Sequence, residues 1–197
     1  MNILNWNVRG LMAPERHRMV KRHLEKVACD IIMFQETKCC TTDGERFVNH
    51  CRGWMGTFQN AEGPSGGLGI LWNPNTINVS GVNKSKNWIS CQIQSKLNTS
   101  SFLLWSIYGP SHTVEKTKLW EDLNQQIRQS GTKKFIVEGD FNEIMDLSEK
   151  NRGMSIISRD MLDFREFVQK IEAVDCIPSE GWFKWTNRRM GFTNITE

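Results

Sequence analysis

Residues 134–143 have the sequence KFIVEGDFNE, and this decapeptide sets the predicted fold and site. Its three consecutive apolar residues, 135–137, predict a short buried strand. Gly139 ends the run, and Asp140 and Asn142 follow two residues apart. If the chain stays extended, period-two alternation places both side chains on one face at the strand's end. A carboxylate and an amide there suit a phosphate group and its metal, whereas the simpler alternative is a strand that runs into an acidic turn.

The composition is that of an ordinary soluble domain. The chain has 197 residues, 39% of them hydrophobic and 24% charged, which excludes a disordered tail and allows a sizeable core. Its net charge of +3 is too small to establish a nucleic-acid partner, although it permits one if the cations cluster. No apolar run approaches the ~20 residues of a membrane span, and no targeting peptide is evident at the start.

The six cysteines show neither paired zinc-type spacing nor a secretory signal before them. They are Cys29, Cys39, Cys40, Cys51, Cys91 and Cys176. We therefore expect reduced thiols in an intracellular protein.

The first third of the chain predicts a strand, a helix and a strand, as in a βαβ unit. Residues 2–8 form the first strand candidate, and Pro14 suits the start of a helix. That helix carries an apolar stripe of Met19, Val20, Leu24 and Val27. Residues 30–34 form a continuous apolar run that predicts the second strand.

The middle of the chain predicts antiparallel strands, because five short apolar runs are separated by turn residues. These runs are residues 54–58, 66–72, 77–82, 88–93 and 102–107. A second amphipathic helix follows, with Leu119, Trp120, Leu123 and Ile127 inward and Gly131 at its end.

After the Asp140 strand, a third helix is predicted, capped by Ser158 or Asp160. Its inward stripe is Met161, Phe164, Val168 and Ile171. An aromatic strand around 182–185, a basic turn at 187–191 and the start of another strand at 192–195 complete the chain. We expect one α/β domain over residues 1–197.

Polar residues follow several predicted strands, and strand ends converge at one edge in layered α/β folds. They are Asn7, Glu36, Tyr108, Asp140 and Asn142. Such a set suits hydrolysis of a phosphodiester, because a hard divalent cation needs oxygen ligands such as Glu36. Neutral donors stabilise the charge added to the phosphate, and Asp140 would orient or deprotonate a water. Taken singly, each residue is better explained by a structural role: Asn7 as a turn residue, Glu36 as a solvated strand end and Tyr108 as a packed ring.

Five motifs occur in an order that is specific when they are taken together. They are NWNVRG at 5–10, QETK at 35–38, SGGLG at 65–69, SIYGP at 106–110 and GDFN at 139–142. The chain resembles the endonuclease/exonuclease/phosphatase superfamily, which includes apurinic endonucleases and deoxyribonuclease I. The segments 185–189 and 191–194 look like the endonuclease domain of plant LINE-type (non-LTR) retrotransposons. The resemblance covers essentially all 197 residues.

By that resemblance the fold is a four-layer α/β sandwich of two packed mixed β-sheets flanked by helices, lacking its last strands. Glu36 matches the metal-binding residue, for Mg²⁺ or Mn²⁺. Asn7 and Asn142 match the active-site Asn residues, Tyr108 the phosphate-binding Tyr and Asp140 the residue that acts on the water or leaving group. The implied activity is DNA nicking that primes reverse transcription. The implied setting is a nuclear, monomeric domain joined in its full-length relatives to a reverse transcriptase.

The chain departs from the family pattern at three places. Arg9 stands where apurinic endonucleases carry Asp, and Lys184 where a small residue is usual before Trp185. The chain also ends before the family's terminal catalytic Asp-His pair, and none of His17, His23, His50 and His112 matches that position. We expect all four on the surface, unpaired edges beside the absent strands, and impaired nuclease activity.

Two other functions remain open. One is a non-catalytic nucleic-acid-binding module, with Lys184, Arg188 and Arg189 on the backbone and Trp182 and Trp185 stacked on bases. A solvated turn beside core tryptophans explains the same residues. The other keeps the superfamily but takes a phosphoinositide or sphingomyelin head group, against which the likeness at residues 185–194 argues.

Overall fold

A computed structural model describes residues 1–63, 65–150 and 156–176. The chain divides into two compact units. The first consists of Met1–Tyr108 and Thr132–Asp140, and the second consists of Gly109–Gly131 and the chain from Phe141 onward. The predicted aromatic strand, basic turn and last strand at 182–195, with Lys184, lie outside the described residues.

The first unit contains eight strands and two helices. They are β1 (Ile3–Asn7), α1 (Pro14–Leu24), β2 (Ile31–Gln35), α2 (Thr41–Asn49), β3 (Met55–Glu62), β4 (Ser65–Trp72), β5 (Ile77–Lys84), β6 (Trp88–Ser95), β7 (Ser101–Tyr108) and β8 (Phe135–Asp140). They form two four-stranded mixed sheets, in the orders β1-β2-β4-β3 and β5-β6-β7-β8. The fold is an α/β sandwich of two packed mixed sheets with flanking helices, as the resemblance implied.

The βαβ opening is confirmed, since β1 and β2 are parallel and joined through α1. Pro14 occupies the first turn of α1, where its missing N–H costs nothing. The buried face of α1 is narrower than the predicted stripe. Val20 and Leu24 are buried, whereas Met19 is exposed and Val27 lies beyond the helix end.

All five predicted antiparallel runs are strands, each within a few residues of the expected bounds. The helix α2 was not predicted, because Gly44 and a polar first turn weaken its pattern. Gly44 is required there, since a Cβ atom would overlap the Phe58 ring. The helix nevertheless packs Phe47 and Val48 into the core.

Two apolar clusters hold this unit together. The cluster between the two sheets is formed by Ile31, Met33, Leu68, Ile70, Trp72, Ile77, Ile89, Cys91, Ile93 and Leu104. The other lies on the opposite face of the first sheet, under α1 and α2, and includes Val20, Phe34, Phe47, Phe58 and Leu71. Burial of this much apolar surface is the main favourable contribution to folding.

The predicted strand at 135–137 is confirmed as part of β8, but its predicted burial is wrong. Strand β8 ends the order of its sheet within the described residues, and Ile136 is 37% exposed. The alternation argument for Asp140 and Asn142 also fails, because β8 stops at Asp140 and Asn142 has a left-handed backbone with φ +50°.

The second unit contains α3 (Thr113–Gln129), a single 3₁₀ turn (Leu147–Glu149) and α4 (Arg159–Lys170). The predicted inward face of α3 is confirmed in full, and Gly131 has the left-handed φ of +66° that ends a helix. Ser158 caps α4 by accepting from the Met161 N–H at 3.0 Å. In α4, Phe167 is fully buried where Val168 was expected. Trp120, Phe141, Phe164 and Phe167 form the aromatic centre of this unit.

All six cysteines are free, as expected for reduced thiols. Burial raises the pKa of the Cys91 thiol to about 12, which makes it unreactive. No helix in the described part of the chain is long and apolar enough to cross a membrane.

Asp30 predicts a pH dependence of stability. Partial burial favours the neutral carboxyl, but the Asn2 N–H and the Thr76 hydroxyl, each at 2.8 Å, together lower its pKa below the ordinary value. A lowered folded-state pKa stabilises the protein above the unfolded pKa of about 3.9, and the gain is lost as the pH falls through the folded value.

We therefore expect Asp30→Ala to lower the free energy of unfolding by about 1–3 kcal/mol at pH 7. Urea denaturation at pH 7 and pH 3 measures the difference, which should shrink at pH 3 because that pH lies below the unfolded pKa of about 3.9, where part of the gain is already lost. An equal deficit at both pH values would contradict this assignment.

Candidate active site

Two parallel strand pairs bring four of the five predicted site residues to strand ends within the first unit. In the β1–β2 pair, Asn7 is the register partner of Gln35, and Glu36 follows directly. In the β7–β8 pair, Tyr108 is the register partner of Asp140. Carboxyl ends of parallel strands are where α/β folds commonly place their sites.

The Asn7 side chain joins two carboxylates. Its Nδ2 donates to Glu36 Oε1 at 2.9 Å and to Asp140 Oδ2 at 2.7 Å. Its Oδ1 accepts from the Arg9 N–H at 3.2 Å, which fixes the orientation of the amide. Asn7 and Asp140 lie 133 positions apart in sequence, so only the tertiary fold makes this contact.

Glu36 stands in a strained loop. Its φ is +49°, and Lys38 has a φ of +54°, both in the left-handed region that disfavours residues with a Cβ atom. The loop is held in place because the Gly66 and Gly67 carbonyls accept from Lys38 N and Thr37 N, each at 3.1 Å. Such strain is typical of functional sites. The glycine-rich segment therefore supports the Glu36 loop.

Tyr108 is fixed through its backbone. Its N–H donates to the Asn87 carbonyl at 2.9 Å, and Asn87 Nδ2 donates to the Tyr108 carbonyl at 2.8 Å. The side chain is half-buried and packs against the core between the sheets. It is the only tyrosine of the chain.

Asn142 belongs to the second unit. Its Nδ2 donates to the Gly109 carbonyl at 2.6 Å. A Cβ atom at Gly109 would overlap the Phe141 backbone, so the two segments approach each other as only a glycine allows. The structure thus brings together Asn7, Glu36 and Asp140 and places Tyr108 beside Asp140 in register, while Asn142 has its own contacts within the second unit.

The three-residue cluster fits a hard divalent cation by the chemistry of its donors. Two carboxylates share one neutral amide, and the Lys38 ammonium lies 3.6 Å from Glu36 Oε2. Mg²⁺ is usually held by one or two carboxylates and keeps several waters, which matches this set. Within the described ranges, no group of three or more His, Cys, Asp and Glu is arranged to hold a metal.

Three of the four histidines contact residues outside the cluster. His17 and His23 stack edge-on against Phe47 and Trp6, and the His50 ring lies 2.6 Å from the Arg46 carbonyl. His112 precedes α3. Three of the four are exposed, as expected, whereas His17 is half-buried, and its burial lowers its pKa.

Sequence reasoning missed Asn5 and Gln35, the polar residues beneath the cluster. Gln35 is completely buried, and its Nε2 donates to Asn5 Oδ1 at 2.5 Å. The available signal was a polar side chain at the end of an otherwise apolar strand, which is informative because buried polar groups are uncommon.

The profile of the Endonuclease/Exonuclease/phosphatase family matches residues 4–196. The chain therefore belongs to this family. No curated protein matches it.

Solved structures of related fold are similar at low sequence identity, so they support the fold alone. AP endonuclease LMAP from Leishmania major is 14% identical with a TM-score of 0.71, over 88% of this chain and 67% of that chain. The 3′ phosphatase NExo from Neisseria, bound to a product DNA hairpin, is 16% identical with a TM-score of 0.62, over 86% of this chain and 71% of that chain. The human Nocturnin catalytic domain is 18% identical with a TM-score of 0.56, over 71% of this chain and 64% of that chain. The chain thus spans about two thirds of the length of these structures.

Proposed function

We propose that the chain is a metal-dependent phosphodiester hydrolase of the apurinic-endonuclease type that nicks DNA. The observation that carries the proposal is the bridge from the Asn7 amide to the Glu36 and Asp140 carboxylates. Two carboxylates held on one donor, at the ends of parallel strands, form an anionic site whose natural occupant is a cation.

Each residue has a distinct role in this proposal. Glu36 holds Mg²⁺, with Mn²⁺ as the alternative, and the ion when bound neutralises charge on the phosphate. Asn7 keeps the two carboxylates at fixed separation. Asp140 orients the attacking water and accepts its proton. Tyr108 supplies a neutral donor to the phosphate oxygens. For Asn142, which belongs to the second unit, the role of a neutral donor rests on the resemblance alone.

The substrate and origin rest on resemblance. The motifs resemble those of plant LINE-type retrotransposon endonucleases, and the NExo structure of similar fold is bound to DNA. We infer a DNA substrate, a monomeric nuclear domain and a role in priming by a reverse transcriptase in longer relatives.

We expect a low rate of cleavage. The contacts of the His17, His23 and His50 rings lie outside the cluster. We therefore expect none of the chain's own histidines to act there as a general acid or base. This observation also favours the second candidate, a nucleic-acid-binding remnant without catalysis. Salt-sensitive DNA binding that survives removal of Mg²⁺, without nicking, would distinguish it.

The decisive experiment is nicking of supercoiled plasmid by the purified chain with Mg²⁺ or Mn²⁺. Glu36→Gln and Asp140→Asn each preserve side-chain size and remove one charge. We expect each to reduce nicking at least ~100-fold, because metal binding or water activation is lost.

Glu121→Gln is the matched control, since Glu121 is an exposed carboxylate on α3 in the second unit. It should nick within about twofold of wild type, as surface substitutions usually do. Nicking that survives both site substitutions, or that persists in EDTA, would contradict the proposal.

A further inference from the structure

We propose that Gln35 is a positioning residue, which acts through Asn5 to hold Asn7 and Glu36 in the geometry of the cluster. The inference rests on the proposed function of that cluster. It assigns a role to a buried pair one layer beneath the cluster.

Gln35 is an energetically unfavourable residue at its position, because it lowers the stability of the folded state. Its side chain is completely buried, and its Oε1 has no hydrogen-bond partner within the described structure. A buried acceptor left without a partner destabilises the folded state. Methionine has nearly the same shape and would fill the space without that cost. The polar atoms of Gln35 are therefore better explained by the geometry that they impose than by stability.

That geometry concerns β1. All five residues of this strand are only half-buried, and β1 ends the order of its sheet within the described residues. Its position thus depends on specific ties as well as on packing. Gln35 Nε2 donates to Asn5 Oδ1 at 2.5 Å, while Asn7 is the register partner of Gln35. Asn5 and Asn7 point to the same face because strand side chains alternate, so the tie fixes the face from which Asn7 reaches the carboxylates.

Gln35 also precedes Glu36 directly. The Glu36 backbone is left-handed, with φ +49°, and such a conformation persists only where its surroundings hold it. The completely buried Gln35 side chain is anchored to β1 through Asn5. It therefore holds Gln35, and with it the backbone that leads into Glu36. One hydrogen bond therefore restrains both members of the Asn7–Glu36 contact.

The other parallel pair also places polar residues two positions before its site residues. Ser106 and Glu138 are register partners two positions before Tyr108 and Asp140, and alternation places them on the same face. Ser106 is completely buried, and its Oγ has no hydrogen-bond partner among the residues that the structure describes. A second polar layer therefore lies one step before the cluster on its strands and consists of Asn5, Gln35, Ser106 and Glu138. Asn5 and Gln35 are joined by a hydrogen bond.

The test measures Mn²⁺ affinity, the Asn7 side-chain amide resonances and nicking in Gln35→Met. Displaced supporting residues typically cost 10- to 100-fold in metal affinity or activity. We expect Mn²⁺ affinity and kcat to fall about tenfold, with KM for DNA little changed. The Asn7 Nδ2 protons, which donate to carboxylates and should resonate downfield, should move toward ordinary values. Assignment uses Asn7→Asp, which lacks them.

The double variant Asn5→Leu/Gln35→Met separates positioning from stability. Because both partners become apolar, Tm should return close to wild type, while Mn²⁺ affinity and the Asn7 resonances stay altered. Recovery of affinity together with Tm would overturn the inference, as would an unchanged Asn7 resonance in Gln35→Met. If Gln35→Met does not fold, Asn5→Leu on the half-buried strand gives the same readouts. If wild type shows no Glu36-dependent Mn²⁺ binding, the proposed function fails, and the Asn7 resonances alone decide the positioning.

Discussion

Gly139→Ala should lower the free energy of unfolding by roughly 3–5 kcal/mol. Gly139 has φ +155°, and a Cβ atom there would overlap the Ile107 backbone on β7. Backbone atoms of a paired strand cannot move aside as a flexible side chain can, so the β7–β8 pair has to separate. Because Asp140 follows directly, the contact between Asp140 and Asn7 should be lost as well.

Gly81→Ala is the matched control for this prediction. Gly81 has φ +56° at a bulge of β5, and a Cβ atom there would meet nothing within 4 Å. Its substitution adds backbone strain without overlap and should cost only about 1 kcal/mol. Urea denaturation of both variants measures the difference, and equal costs would show that overlap with β7 is not what requires a glycine at 139.

Lys116→Met should destabilise the chain by about 3–5 kcal/mol, because it strands two carboxylates in the second unit. The Lys116 side chain is only 8% exposed, and its Nζ lies 2.6 Å from Glu143 Oε2 and 3.2 Å from Asp160 Oδ2. The substitution removes the one cation that contacts both carboxylates among the described residues, and it leaves them partly buried without that compensation. Thermal unfolding of the purified variant measures the loss.

Two further variants test the cause. Lys170→Met removes an exposed ion pair of the same unit, with Glu166 at 2.7 Å, and should cost at most about 0.5 kcal/mol. The triple variant Lys116→Met/Glu143→Gln/Asp160→Asn removes all three charges and should recover most of the stability. A triple variant no more stable than Lys116→Met would mean that Lys116 stabilises the unit by packing instead.

Local pattern was sufficient for most elements. Two helices were predicted from local signals, the first from Pro14 and the second from the apolar stripe between Leu119 and Ile127 with Gly131 at its end. Such signals suffice because helix caps and 3.6-residue periodicity are properties of short segments. Helix α2 was not predicted because its Gly44 is required by a contact with Phe58, a residue distant in sequence. The exposure of Ile136 likewise depends on the position of β8 in its sheet.

The candidate site divides in the same way. Its residue types and motifs, and through them the family, were determined by the sequence alone, because chemistry is carried by side-chain identity. Only the tertiary structure decided four features of the site. They are the grouping of Asn7 with Glu36 and Asp140, the left-handed backbone of Glu36, the placement of Asn142 in the second unit and the buried Asn5–Gln35 pair. Each of these depends on the order and register of strands, which join residues far apart in the chain and which local periodicity does not encode.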